Sequence, residues 1–188
     1  MKTLNPLRQY LLDKRLSLNK DLSLRKRLED GLFKYLEKID VATLAIYWPI
    51  NSEFDPRPIA LDWVRKSSQK KLLLPAVKIG QPLLFGVWQD GDKLIKGPQG
   101  IPEPIIDDEN KSVSPDIILL PCLGWTQQND QLWRIGYGGG YYDRTLAMLK
   151  AANHSVKAVG IAYRDLKVEE SAWRPQIHDQ ALDELICA

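Results

Sequence analysis

The sequence is short of most features that would assign a protein to a special class. It has only two cysteines in 188 residues, Cys122 and Cys187, each inside an apolar run. With no disulfide framework and no metal-ligand spacing, they read as reduced core thiols of a cytoplasmic protein. No stretch approaches the ~20 uninterrupted apolar residues of a membrane helix, so no membrane is expected. Charge of either sign is scarce in excess: 26 Lys and Arg against 24 Asp and Glu leave +2. The first 40 residues hold 10 basic and 6 acidic side chains, but the signs are mixed and no RNA-binding motif accompanies them, so no nucleic acid is expected. The N-terminal run carries charges within its first apolar segment and has no small-residue cleavage site, and it does not read as a signal peptide. There is no internal repeat, low-complexity tract or linker. What is present is ordinary globular composition, 44% apolar and 27% charged, which predicts a single domain over residues 1–188, expected as a monomer.

Helical periodicity predicts a first helix over 6–16, with Leu7, Leu11, Leu12 and Leu16 on one face, and a second over 21–37, with Asp21 as its cap. In the second helix Leu22, Leu24, Leu28, Leu32, Phe33 and Leu36 recur near the 3.6 period. The run 41–48 is short, apolar and stopped by Pro49, the pattern of a strand buried on both faces. A loop over 51–56 leads to a helix from about Pro58 to Lys66. Further strands are expected over 71–75, 83–88, 115–121, 156–163 and 182–187, with 91–110 mostly loop and a helix over 141–150. Short buried strands alternating with helices predict a three-layer α/β/α sandwich with a mixed, largely parallel sheet.

The most informative segment is Arg134-Ile-Gly-Tyr-Gly-Gly-Gly-Tyr-Tyr-Asp-Arg144. Glycines let a backbone approach a ligand closely, and a helix starting at once after them points its free N–H groups and positive dipole end at an anion. Arg134 and Arg144 add positive charge, and Asp143 is a candidate ligand for a divalent cation beside phosphates. The Walker pattern fails, because no Lys-Ser/Thr follows the glycines. The dinucleotide fingerprint also fails, because its sixth position is the bulky Tyr141. The residues alone leave two readings, a phosphate cradle or a sharp strand-to-helix turn without a ligand. The flanking arginines and the helix start favour the first.

This segment resembles the signature of the 5-formyltetrahydrofolate cyclo-ligase (5,10-methenyltetrahydrofolate synthetase) family. The similarity extends to Asn51-Ser-Glu-Phe-Asp-Pro-Arg-Pro-Ile59, Pro115-Asp-Ile-Ile-Leu-Leu-Pro121, Ala158-Val-Gly-Ile-Ala162 and Ile177-His-Asp-Gln-Ala-Leu-Asp183, in order over almost the whole chain. The resemblance implies an ATP- and Mg²⁺-dependent enzyme that phosphorylates the formyl oxygen of 5-formyltetrahydrofolate and closes the ring through N10. It further implies that Arg8, Arg134, Ile135, Gly136, Tyr137, Gly138, Gly139, Gly140, Tyr141 and Tyr142 hold ATP. Tyr137 to Tyr141, with Trp48 and Glu53, border the folate, and Asp143 and Asp179 hold Mg²⁺.

Two departures from the family pattern stand out. Leu4 occupies the position of a Lys in an N-terminal motif, with Lys2 two residues away as a substitute, and Trp125-Thr126 with a longer Gln-rich hairpin stands where an aromatic-Asp pair and a short turn are frequent. Gly139 stands where a Lys is frequent, a familiar variant. The missing Lys keeps open a folate- or nucleotide-binding homologue with weakened catalysis, and an ATP loop clearer than the folate pocket keeps open a same-fold enzyme for a different formylated substrate. Plainer roles are open too. Arg8 reads as a solvated side chain, Glu53 as an acid serving a helix dipole, Trp48 as pocket wall or core, Asp179 as a turn residue, and His178 as a structural histidine that orients Asp179.

Overall fold

A computed structural model describes residues 5–188; the expectations for Lys2 and Leu4 lie outside the described residues. The chain begins with α1 (Pro6–Leu18), capped by the Asn5 side chain, which accepts from Arg8 N at 2.9 Å. Next comes α2 (Leu22–Leu36), capped by Asp21, which accepts from Ser23 N at 2.8 Å. Strand β1 (Thr43–Ala45), α3 (Arg57–Val64), β2 (Lys71–Ala76) and β3 (Leu84–Trp88) follow. A small hairpin, β4 (Ile95–Lys96) and β5 (Pro102–Glu103), interrupts the expected loop over 91–110. Then come β6 (Ile117–Pro121), β7 (Gly124–Gln128), β8 (Gln131–Ile135), α4 (Tyr141–Ala151), β9 (Lys157–Ala162) and β10 (Glu184–Cys187).

The main sheet has the order β10-β9-β6-β1-β2-β3. Its first five strands are parallel, and β3 runs antiparallel at one edge. This is the mixed, largely parallel sheet expected, with helices flanking it. The connection β1-α3-β2 steps one way along the sheet and β6-α4-β9 the other. Right-handed crossovers of opposite direction put α3 and α4 on opposite faces. The central strands are buried except at one terminal residue each, Thr43, Pro121 and Lys157, as their apolar runs require. Strand β1 is shorter than the run 41–48, although Ile46 N still donates to Leu73 O at 2.9 Å and the chain stays buried to Tyr47.

Helix α1 departs from its expected register. Leu11 is buried, but Leu16 is 45% exposed and Arg15 is only 2% exposed. The core-facing stripe continues from Leu11 to Arg15, one helical turn on, and the guanidinium is accommodated because polar partners await it there. In α2, Leu28, Leu32 and Leu36 are buried, whereas Leu22 and Phe33 face outward, and Lys66 lies 5.3 Å over the Phe33 ring. Of the two free cysteines, Cys122 is buried and Cys187 half-buried.

The order of strands fixes where a ligand site can form. From β1 the chain moves to β2 on one side, and β6 and β9 lie on the other, so the switch point lies between β1 and β6. In open parallel sheets ligands bind outside the carboxyl ends of strands at such a crevice. The segment after β1 carries Trp48 and Glu53; the β7–β8 hairpin that follows β6 leads into the glycine run. That hairpin turns through Asn129 and Asp130, both at positive φ (50° and 60°), the two-residue turn that matches strand twist.

Candidate active site

The glycine run leaves β8 and enters α4 through Gly140 at φ 66°, which serves as the helix N-cap. Gly138 is also left-handed, at φ 90°. Such geometry is strained for any residue with a Cβ. Three guanidinium groups gather on this backbone. Arg8 Nε donates to Gly136 O at 2.8 Å, and Arg144 Nη2 donates to Gly139 O at 2.9 Å. A Cβ on Gly136 would sit 2.7 Å from Arg134 Nη1, and one on Gly140 would sit 2.7 Å from Arg144 Nη1. The missing side chains are therefore what lets the cations close on the loop.

The Nε atoms of Arg134 and Arg144 are buried and have no hydrogen-bond partner. Buried donors without partners are costly, and turning these guanidinium groups onto an anion at the loop would satisfy them. Together with the free N–H groups at the start of α4, they fit a polyphosphate.

The two expected metal ligands lie on adjoining segments. Asp143 accepts from Arg134 Nη2 at 2.9 Å and from Gln180 N at 3.3 Å. Asp179, the residue before Gln180, accepts from Gln176 N at 2.7 Å and lies 3.9 Å from His178 Nε2. Among the described residues no group of three or more metal-binding side chains occurs. Two carboxylates with spare lone pairs are nevertheless the protein's usual share of a Mg²⁺ shell when phosphates supply the rest. The residues present fit that ion.

Beside the loop lies a buried ion pair that the sequence reading missed. Arg15 Nη1 is 3.8 Å from Glu53 Oε1, each side chain 3% exposed. Glu53 Oε2 also accepts from Ile50 N at 2.9 Å. Burial pushes the Glu53 carboxyl up to about 7, outweighing the Ile50 amide and the guanidinium, which both favour the charged form. Arg15 also donates to the Tyr137 hydroxyl, so Glu53 and the glycine loop share one cation. The available signal was spacing: Arg8 and Arg15 are seven residues apart, two turns along one helix face.

Trp48 stands apart from this pair, edge-on to Trp88 with ring centroids 6.2 Å apart. The Arg57 guanidinium lies 4.0 Å over the Trp48 ring and is held there by Asp55 at 2.7 and 2.8 Å. Tyr141 and Tyr142 carry Arg144 and Arg134 over their rings, at 5.0 and 5.3 Å. Gln99, from the turn between β4 and β5, donates to the Tyr141 hydroxyl at 3.3 Å. The structure thus joins Arg8, Glu53, Arg134, the glycine run, Asp143 and the segment of Asp179, and leaves Trp48 toward β3.

Comparison with known proteins bears on the fold and the family. The family model described as the 5-formyltetrahydrofolate cyclo-ligase family matches residues 2–188. A 5-formyltetrahydrofolate cyclo-ligase of Mycoplasma pneumoniae is 27% identical over 165 residues, covering 85% of this chain and 84% of its own. One from Mycoplasma genitalium is 29% identical over 190 residues, covering 97% and 96%. Among solved structures, the 5,10-methenyltetrahydrofolate synthetase of M. pneumoniae superposes with a TM-score of 0.69 at 25% identity, over 97% of this chain and 96% of that one. The Aquifex aeolicus 5,10-methenyltetrahydrofolate synthetase gives 0.71 at 28% identity, over 96% and 87%. With its whole described length matched and its glycine loop, arginines and carboxylates assembled at the switch point, the chain belongs to the 5-formyltetrahydrofolate cyclo-ligase family.

Proposed function

We propose that this protein converts 5-formyltetrahydrofolate to 5,10-methenyltetrahydrofolate, using ATP and Mg²⁺ and releasing ADP and phosphate. The observation that carries this reading is the convergence of Arg8, Arg134 and Arg144 on Gly136–Gly140, next to the buried Glu53 carboxyl. In the proposed reaction the formyl oxygen attacks the γ-phosphorus and ADP leaves. N10 then attacks the formyl carbon and loses its proton, and the C–O bond breaks to release phosphate. An amide oxygen is a poor leaving group and a phosphate a good one. The protein's task is therefore positioning and charge stabilisation.

In this reading the amides of residues 135–142, with Arg8 and Arg134, hold the triphosphate. The Arg144 guanidinium, on the carbonyl of Gly139, adds the cation that a Lys at 139 would bring. Glu53, Trp48 and Tyr137 to Tyr141 contact the folate. Asp143 and Asp179 would hold Mg²⁺, whose charge offsets that of the transferring phosphoryl group. Asp143 spends one oxygen on Arg134, so the nucleotide and the metal would divide this ion pair between them. The protein is read as one domain, a cytoplasmic monomer; among the described residues no helix is long and apolar enough to cross a membrane.

The test is the growth of methenyl-folate absorbance with ATP, Mg²⁺ and 5-formyltetrahydrofolate. Turnover supports the reading. ATP binding without turnover of this folate would point to another formylated substrate, and folate binding without ATP consumption to a binding protein.

A further inference from the structure

Arg15 is the one buried cation among the described residues. Its donors reach three separate segments. Nη1 donates to Cys122 O at 3.3 Å, just past β6. Nη2 donates to Asn51 O at 3.0 Å, in the loop after β1, and to the Tyr137 hydroxyl in the glycine run. Asn51 and Ser52 hold positive φ, 47° and 62°, on the turn that delivers Glu53. Such backbone persists only where its surroundings over-determine it, and the Arg15 bond to Asn51 O is one of those constraints. The Arg15 Nε has no protein partner. A cavity of 10 Å³ lined by Arg15, Glu53, Tyr47 and Tyr163 lies beside it, about the room of one water.

An ion pair this deep is poor value for stability, since well-packed apolar residues of similar volume are often as stable or more so. Its geometry is better suited to registration. A planar guanidinium with five fixed donors spans several acceptors at once, which a lysine ammonium does not. We propose that Arg15 is a positioning residue for the reaction, locking Glu53 and Tyr137 into one unit so that the folate-contacting carboxylate and the phosphate loop keep a fixed separation. This rests on the functional reading above, in which both residues border the folate.

The groups facing Glu53 are Arg15 from α1, Tyr47 at the end of β1, Cys122 after β6, Tyr137 of the glycine run and Tyr142 of α4. Burial raises the tyrosines and pushes the Cys122 thiol up to about 12. Of these groups, Arg15 alone is therefore charged at neutral pH. Carbon-13 NMR of the Glu53 carboxyl in ligand-free protein reads that environment directly. In Arg15→Met the midpoint should rise by roughly one pH unit or more.

In the turnover assay Arg15→Lys, which keeps the charge but not the fork, should raise the KM for 5-formyltetrahydrofolate by roughly five-fold or more. The KM for ATP should stay within about two-fold, since Arg15 meets that loop only through the Tyr137 hydroxyl and leaves its backbone amides free to bind. A structural role alone would lower the folded fraction and leave the ratio of the two KM values unchanged. An unmoved midpoint in Arg15→Met, or equal changes in both KM values in Arg15→Lys, overturns the proposal. If Arg15→Met does not fold, Arg15→Lys decides through the KM ratio. A wild-type protein without turnover sinks the functional reading instead, and the ligand-free midpoint still decides whether Arg15 governs Glu53.

Discussion

Replacing Glu53 by Gln should stabilise the protein at alkaline pH while weakening it as an enzyme. The carboxyl is pushed from its ordinary 4.5 to about 7 by burial. In the folded state it therefore keeps its proton over a range where the unfolded chain has released it. Between pH 4.5 and 7 the native state binds more protons than the unfolded state, so stability falls as pH rises through that window and is level above it. The difference is worth about 3 kcal/mol at 1.36 kcal/mol per pH unit. Gln resembles the protonated carboxyl in shape and charge, and Arg15 retains Cys122 O, Asn51 O and Tyr137 as partners.

Glu53→Gln should therefore match the wild type near pH 4.5 and exceed it by up to about 3 kcal/mol at pH 8. Urea unfolding of both proteins at the two pH values measures this, because the difference between them cancels every other titrating group. The same variant should bind 5-formyltetrahydrofolate more weakly, the stability–function trade-off expected of a strained site. If the stability difference between the two proteins is the same at pH 8 as at pH 4.5, Glu53 titrates as an exposed acid. The picture of a buried carboxyl whose charged form is disfavoured by its site would then be wrong.

Other substitutions probe the phosphate loop. Arg134→Ala removes a charge-assisted donor and should weaken ATP by ~1.5–3 kcal/mol; an unchanged ATP titration would mean the guanidinium serves only Asp143. Asp143→Asn should lower turnover more than folate affinity, because a metal acts on charge that develops during phosphoryl transfer; undiminished turnover at limiting Mg²⁺ would remove Asp143 from the reaction. Gly140→Ala forces a Cβ into left-handed backbone at φ 66° and to 2.7 Å from Arg144 Nη1. It should cost about 1–2 kcal/mol of stability and reduce ATP affinity, and a thermal midpoint and ATP titration equal to wild type would contradict the cradle geometry.

The sequence by itself determined everything that depends on neighbours along the chain. Periodicity and caps set α2, where Asp21 accepts from Ser23 and Leu24 as its position predicts. Proline-bounded apolar runs set β6, and the glycine cluster set the turn into α4. These signals are local, since a few residues contain both the cause and the effect. Matching motifs in order over most of the chain also make the family legible in the sequence alone.

Tertiary structure decided what depends on residues far apart in sequence. Which residue of α1 faces inward was one such matter. Leucine periodicity favoured Leu16, but the slot beside Glu53 holds Arg15, because acceptors 36, 107 and 122 residues away converge there. The Arg134–Asp143 pairing was another, for each residue alone reads as a ligand for something else. Trp48 was a third, set against Trp88 of β3, two strands away in the sheet, and under the Arg57 guanidinium. A side chain's charge is written in the sequence; whether water or a partner answers that charge is settled only when the sheet brings distant segments together.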